Sequence, residues 1–153
     1  MFFTIAETTQ SESMIKYTKL PENIETLILS GVSYLKSRPE IVFAYIFGGL
    51  ARGVLSPLSD IDIAVFLVND AHIVASKMEL LEKLIDILQT DEIDLVILNT
   101  APLLLAAKVL ETKKVIVDNA PFVRHKYESL VMREYFDFSI VEKAILKRRF
   151  LHG

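Results

Sequence analysis

The chain has 153 residues, 52% of them apolar, a formal charge of −3 and no cysteine. That is enough for one domain with a buried core, and it excludes disulfides, thiolate metal sites and a thiol nucleophile. No uncharged run reaches the ~18 residues of a membrane span, and MFFTIAETTQSESMIKYTK at the N-terminus lacks the basic start and apolar block of a signal peptide. A cytoplasmic protein is expected, with no membrane partner. The negative balance also speaks against direct nucleic-acid binding, which rests on neutralising phosphates, although Lys143, Lys147, Arg148 and Arg149 make one end locally basic.

In chain order, residues 1–20 are polar and unpatterned and read as a frayed lead-in, with a single domain over 21–153. After Pro21, Ile24, Leu27, Ile28, Val32 and Leu35 recur at helical spacing and stop near Lys36, before Pro39. Ile41–Phe47 is a continuous apolar run of strand length, rich in β-branched and aromatic residues. Leu50–Leu55 has room for one short helical turn ahead of Pro57, and Asp60–Val68 reads as a second buried strand. His72–Leu88 carries Ile73, Leu80, Leu81, Leu84, Ile87 and Leu88 on one side of a helix. Ile93–Leu98 is a third strand. Thr100 is placed to cap a helix with Pro102 in its first turn, running to about Leu110. Val115–Val117 is a fourth strand, and residues from about 122 to 150 are helical, with a break expected near Asp137–Ser139. Strands separated by helices make this an α/β (α+β) chain.

The most informative stretch is Ile46–Val65, IFGGLARGVLSPLSDIDIAV. An apolar strand ends in Gly48-Gly49, ten residues follow, and Asp60 and Asp62 open the next strand. Glycines at a strand end admit phosphate oxygens to the backbone, because no Cβ stands in the way. Two aspartates at i and i+2 face the same side of a strand, starting roughly 6–7 Å apart, and suit a divalent metal. Phosphates at one end and metal at the other are what phosphoryl or nucleotidyl transfer requires. A third acid is wanted from a neighbouring strand, and Asp94, flanked by Ile93 and Leu95, answers it; Asp91 and Glu92 read as solvated loop acids. Taken singly, an Asp-x-Asp pair, a glycine pair and Arg52 are common turn and surface features. Their joint order is not. Tyr127, Tyr135 and Phe136 read as packing residues, and His125 as helix surface.

Gly48-Gly49, ten residues, then Asp60-Ile61-Asp62, with Asp94 on a later strand, resembles the nucleotidyltransferase superfamily of the DNA polymerase β type, whose signature is Gly-Ser, ten residues, Asp-x-Asp. The short length, Leu50-Ala51-Arg52-Gly53, Ser59-Asp60-Ile61-Asp62 and Arg133-Glu134-Tyr135-Phe136-Asp137-Phe138 are similar to the minimal nucleotidyltransferases (MNT), encoded with HEPN-domain ribonuclease partners in prokaryotes. The likeness is firm over Ile41–Leu98 and loose over the last thirty residues. It implies a nucleotidyltransferase domain with a small mixed β-sheet flanked by helices and a C-terminal helix. It also implies ATP as substrate, two Mg2+ ions and transfer of AMP, in the toxin–antitoxin members to a tyrosine on the partner toxin. By this resemblance Asp60 and Asp62 ligate both metals and Asp94 completes the one that activates the acceptor hydroxyl. Gly48 and Gly49 admit the phosphates, Arg52 neutralises their charge, and Ser59 positions the acids. One departure stands out: Gly49 replaces the usual serine, whose hydroxyl holds a terminal phosphate.

The residues and the resemblance leave three readings: a protein adenylyltransferase acting as antitoxin, a small-molecule nucleotidyltransferase of the aminoglycoside-modifying type, and a catalytically weak antitoxin that neutralises by contact. The segment after Asp94 is short for a separate small-molecule domain. Val123, Tyr127, Leu130, Val131, Phe136, Phe138, Ile140, Ile145 and Leu146 exceed what one flank of a small domain buries. The C-terminal helix is therefore expected to form an interface, to the toxin or to a second copy in a homodimer.

Overall fold

The computed structural model describes residues 20–53 and 59–152. Helix α1 (Ile24–Ser37) turns Ile24, Gly31 and Leu35 inward and ends where Pro39 forces the residue before it out of the helical region, Arg38 being extended at ψ 115°. Strand β1 (Ile41–Phe47) follows, then the short helix α2 (Gly48–Ala51). This turn begins two residues earlier than the Leu50–Leu55 expectation, whose remainder, with Pro57, lies outside the described residues. Strand β2 (Ile61–Leu67), helix α3 (Ile73–Leu88) and strand β3 (Ile93–Ile97) form a strand–helix–strand unit. Helix α4 (Leu103–Thr112), strand β4 (Lys114–Asp118) and helix α5 (Pro121–His152) complete the chain.

The four strands make one mixed sheet in the order β3-β2-β1-β4. β1 is antiparallel to both neighbours, while β2 and β3, joined through α3, run parallel. A bulge between Ile41 and Phe43 lets Ile41 share a face with Ala44 and Ile46, while Phe43, Tyr45 and Phe47 point to the other. In β2 the odd residues Ile61, Ile63, Val65 and Leu67 join Leu20 and the inner sides of α1 and α3 in one core layer. The even residues face α4 and α5, where Phe43, Tyr45, Val96, Val109 and Val131 form the second. Two asparagines finish the sheet ends. Asn99 accepts the Leu67 amide at 2.8 Å and donates to the Leu67 carbonyl at 2.9 Å, and Asn119 donates to the Ile41 carbonyl at 3.0 Å.

Two expectations are corrected. Thr100 does not cap α4: Leu98–Thr100 is a 3-10 turn, Ala101 is extended ahead of proline, and Pro102 itself holds the capping position. The expected break near Asp137–Ser139 is absent, since α5 is one helix of 32 residues, about 48 Å at 1.5 Å per residue. Asp, Phe and Ser cost tenths of a kcal/mol each in helix propensity, too little to interrupt a helix already formed on both sides.

The first half of α5 is fastened to the sheet by a polar cluster. The buried Tyr45 hydroxyl donates to Glu128 at 2.6 Å, Arg124 donates to the same carboxylate at 3.1 Å and to Asp118 at 2.9 Å, and Lys113 lies 3.5 Å from Glu128. Burial, and then the bond to Glu128, raise the Tyr45 pKa beyond any physiological titration. Burial pushes the Glu128 carboxyl upward, but the bonds from Tyr45 and Arg124 outweigh it and hold the carboxyl below its ordinary range. Tyr127 packs against Phe43 and Phe66 at 5.7 and 5.3 Å between ring centres, and burial pushes its pKa up to about 12. Tyr127 and Val131 are thus core residues and not interface. Beyond Val131 the helix is almost entirely exposed, Phe136, Ile140, Ile145 and Phe150 included.

Candidate active site

The turn after β1 is built on Gly48. Its φ of +72° lies in the left-handed region that favours glycine, and a Cβ built there would meet the Asp62 carboxylate oxygen Oδ2. The Gly48 amide donates to the Thr112 hydroxyl at 2.8 Å, tying the turn to the last residue of α4. Gly49 lies inside α2 and is not among the positive-φ glycines. Arg52 is exposed just after that helix, its amide donating to the Gly48 carbonyl at 3.2 Å, and Gly53 closes the turn at φ +77°.

The acids sit where the strands begin. Asp60 is exposed immediately ahead of β2, with the half-buried Ser59 before it, and Asp62 is half-buried as the second residue of β2. Asp94 is exposed as the second residue of β3. Asp60 lies just ahead of β2; Asp62 and Asp94 are register partners in the parallel pair, so their side chains leave the same face. It is the α4/α5 face, which Phe47 and Val96 share.

The register is locked by two backbone features absent from the motif. The Ile61 amide donates to the Glu92 carbonyl at 3.0 Å, and the Glu92 amide donates to the hydroxyl of the buried Thr90 at 3.1 Å. Glu92 is half-buried, in contrast to the exposed Asp91, so the two are not alike as solvated loop acids.

The donor set is all carboxylate oxygen, the hard chemistry that suits Mg2+, and the backbone puts Asp62 and Asp94 on one face, with Asp60 just ahead of β2, beside a turn with no Cβ. Among the described residues no group of three or more His, Cys, Asp or Glu side chains is placed to hold a metal ion. Backbone placement, and not side-chain convergence, is where this site fits a divalent cation.

Residues 32–121 match the family model described as Polymerase beta, Nucleotidyltransferase. The chain belongs to this family. No curated protein matches the sequence. Among solved structures, the nucleotidyltransferase is similar to a chain of a toxin–antitoxin complex crystallised with AMP-PNP, at 25% identity and TM-score 0.65, covering 82% of this chain and 98% of that one. It is also similar to a chain of the tri-AMPylated Shewanella oneidensis HEPN toxin complexed with MNT antitoxin, at 23% identity and TM-score 0.60, covering 84% and 98%. This second likeness is one of fold.

Thr112 and Thr90 do not stand out in the sequence. Nothing local marks Thr112, which reaches Gly48 only through the packing of α2 against α4. Thr90 has a visible signal, a threonine two residues before Glu92 at a strand start, where its hydroxyl accepts from the backbone. No helix among the described residues is long and apolar enough to cross a membrane.

Proposed function

We propose that this nucleotidyltransferase transfers AMP from ATP, with Mg2+, to a tyrosine of a HEPN-domain toxin and thereby acts as its antitoxin. The observation that carries the reading is the Gly48–Asp62–Asp94 arrangement: a turn with no Cβ at Gly48 against an aspartate in register with a second on the parallel strand. Family membership supplies the reaction class. The likeness to chains of toxin–antitoxin complexes, one with AMP-PNP and one with an AMPylated toxin, supports the substrate and the partner.

Asp60 and Asp62 are the residues that would hold Mg2+, with Asp94 completing the set. The bound ions would neutralise phosphate charge and lower the barrier to attack. The tyrosine oxygen forms a bond to the α-phosphorus as the bond from that phosphorus to the bridging oxygen of the β-phosphate breaks. Pyrophosphate leaves with that electron pair, and the phenolic proton passes to the carboxylate at Asp94 or through it to water. Gly48 and Gly49 leave room for the β- and γ-phosphates, Arg52 faces their charge, and Ser59 steadies the acids. Positioning and charge carry most of such a reaction.

The test is to incubate the purified chain with Mg2+, ATP labelled at the α-phosphate and the product of its neighbouring gene, tested as the HEPN-domain toxin. Label on a toxin tyrosine, lost in Asp62→Asn, supports the reading. In a parallel reaction with an aminoglycoside added, label on the aminoglycoside and none on the toxin would move the activity to small molecules. A toxin inhibited equally by wild type and Asp62→Asn, with no label, would make the chain an antitoxin by contact alone.

A further inference from the structure

A groove of about 520 Å3 runs along the outer edge of β3, with Asp94 at one end. Its floor is β3 from Asp94 to Ile97. Val74, Lys77 and Met78 of α3 make one wall, and Pro102 and Leu105, at the start of α4, the other. Among the described residues β2 is the one strand beside β3, so the outer edge carries the backbone donors and acceptors of an edge strand.

The α3 wall is unusual for the helix that forms it. α3 buries Leu80, Leu84 and Leu88, yet Val74 is 76% exposed and Met78 61%. They lie one turn apart with Lys77 between them, so all three share a side. This apolar pair serves neither core layer. It faces a channel that leads to the acid we assign to the acceptor side of the reaction.

We infer that this groove is the docking channel for the acceptor polypeptide, which lies extended along β3 and delivers its hydroxyl residue to Asp94. The inference rests on the function proposed above and adds the conformation of the substrate. Edge-strand addition gives affinity through the main chain and selectivity through alternate side chains. Here those side chains meet the Val74–Met78 wall and the Pro102–Leu105 wall by turns. The three steps from Asp94 to Ile97 span about 10 Å at ~3.3 Å per residue, so a short extended segment next to the acceptor residue fills the channel. A helical acceptor segment, some 10 Å wide, does not lie flat on a strand edge.

The experiment uses the full chain with Mg2+, ATP and the neighbouring gene product tested above as the toxin. Val74→Glu and Met78→Glu replace exposed residues, so the fold and the ATP–Mg2+ shift in melting temperature should stay at wild-type values. AMP transfer to the toxin should fall about tenfold or more, through a raised KM for the toxin. In parallel, hydrogen exchange at the amides of residues 93–97 should slow on adding the toxin. Absence of AMP transfer by the wild type would defeat the function proposed above, while slowed exchange at 93–97 would still locate a partner in the groove. Wild-type KM in both variants, together with unchanged exchange at 93–97 under saturating toxin, would overturn the inference. So would protection that appears on concentrating the chain alone, which assigns the groove to a second copy.

Discussion

Gly48 and Asp62 meet across the β1–β2 pair: a Cβ built on Gly48 would stand against Asp62 Oδ2, and the backbone there is at φ +72°. Position 48 therefore excludes a side chain twice, by conformation and by contact with an acid proposed to hold metal. Gly48→Ala should destabilise the fold by about 1–2 kcal/mol from the left-handed backbone alone. It should also remove the stabilisation by ATP–Mg2+, because the carboxylate must swing away. Thermal unfolding with and without ATP–Mg2+ reads both effects, and an unchanged ATP–Mg2+ shift in Gly48→Ala would detach this glycine from the nucleotide site.

Gly49 differs from its neighbour, since it lies inside α2 with no positive φ. Its φ imposes no left-handed penalty on a Cβ, and circular dichroism checks that the Gly49→Ser chain is folded. Restoring the family's hydroxyl should tighten ATP binding by up to one charge-assisted hydrogen bond, about 1.5–3 kcal/mol, measurable by calorimetry. A folded Gly49→Ser chain that binds ATP no better would show that the serine comparison does not transfer.

ATP–Mg2+ should raise the melting temperature of the wild type, by mass action worth about 2.7 kcal/mol at a hundred times Kd. Asp62→Asn should abolish the gain, because Asp62 touches the Gly48 turn and pairs in register with Asp94. Asp91→Asn, at an exposed residue before β3, should keep it. Equal gains in the two variants would argue against a metal-bridged nucleotide.

Most of the architecture could be read from residues because its signals are local. Ile41–Phe47 is a strand end to end as its apolar run indicated, and Pro39 stops α1 through a steric effect on a single neighbour. Strand alternation led to the expectation that Asp60 and Asp62 share a face, and only the β2–β3 register, held by Glu92 and Thr90, makes Asp94 a partner of Asp62. The hidden part is long-range. Thr112 is 64 positions from Gly48, and Glu128 is 83 from Tyr45. Neither bond leaves a periodicity to read. Pro102 misled in a different way: proline fits both the first helical turn and the cap, and its effect on Ala101 decided for the cap.

The Tyr45–Glu128–Arg124 cluster predicts a pH dependence with a definite sign. The folded Glu128 carboxyl is held below its ordinary range, so its contribution is fully present above the unfolded value of ~4.3 and is lost as pH falls through the folded pKa. Glu128→Gln should therefore cost about 1–3 kcal/mol near neutral pH, and its deficit against the wild type should shrink below about pH 4. Tyr45→Phe should cost less, about 1 kcal/mol, since Arg124 and Lys113 still face the carboxylate. Denaturant titrations across pH measure both. A Glu128→Gln deficit that grew on acidification would reverse the assigned sign.

The exposed half of α5 predicts a partner of a particular shape. Phe138, Val141 and Ile145 recur at i, i+3 and i+7, Leu146 and Phe150 at i and i+4 on another side, and Phe136 and Ile140 on a third, and all are exposed. A helix that is apolar on several sides is an enclosed helix. Pairing with the same helix of a second copy covers one stripe, whereas a cleft between helices of another protein covers several, which favours the toxin over a homodimer. Lys143, Lys147, Arg148 and Arg149 would meet acidic groups at the rim of that cleft, so association should weaken with salt, mostly through a slower on-rate. Ending the chain after Phe138 keeps Arg124, Tyr127, Glu128 and Val131, through which α5 grips the sheet. The truncated chain should therefore fold and keep its ATP–Mg2+ shift while binding the toxin at least tenfold more weakly, a loss of about 1.4 kcal/mol. Analytical ultracentrifugation of mixtures of the chain and the toxin, at low and high salt, distinguishes the cases. A truncated chain that pairs with the toxin as tightly as the full one would leave these apolar stripes without a role in the complex.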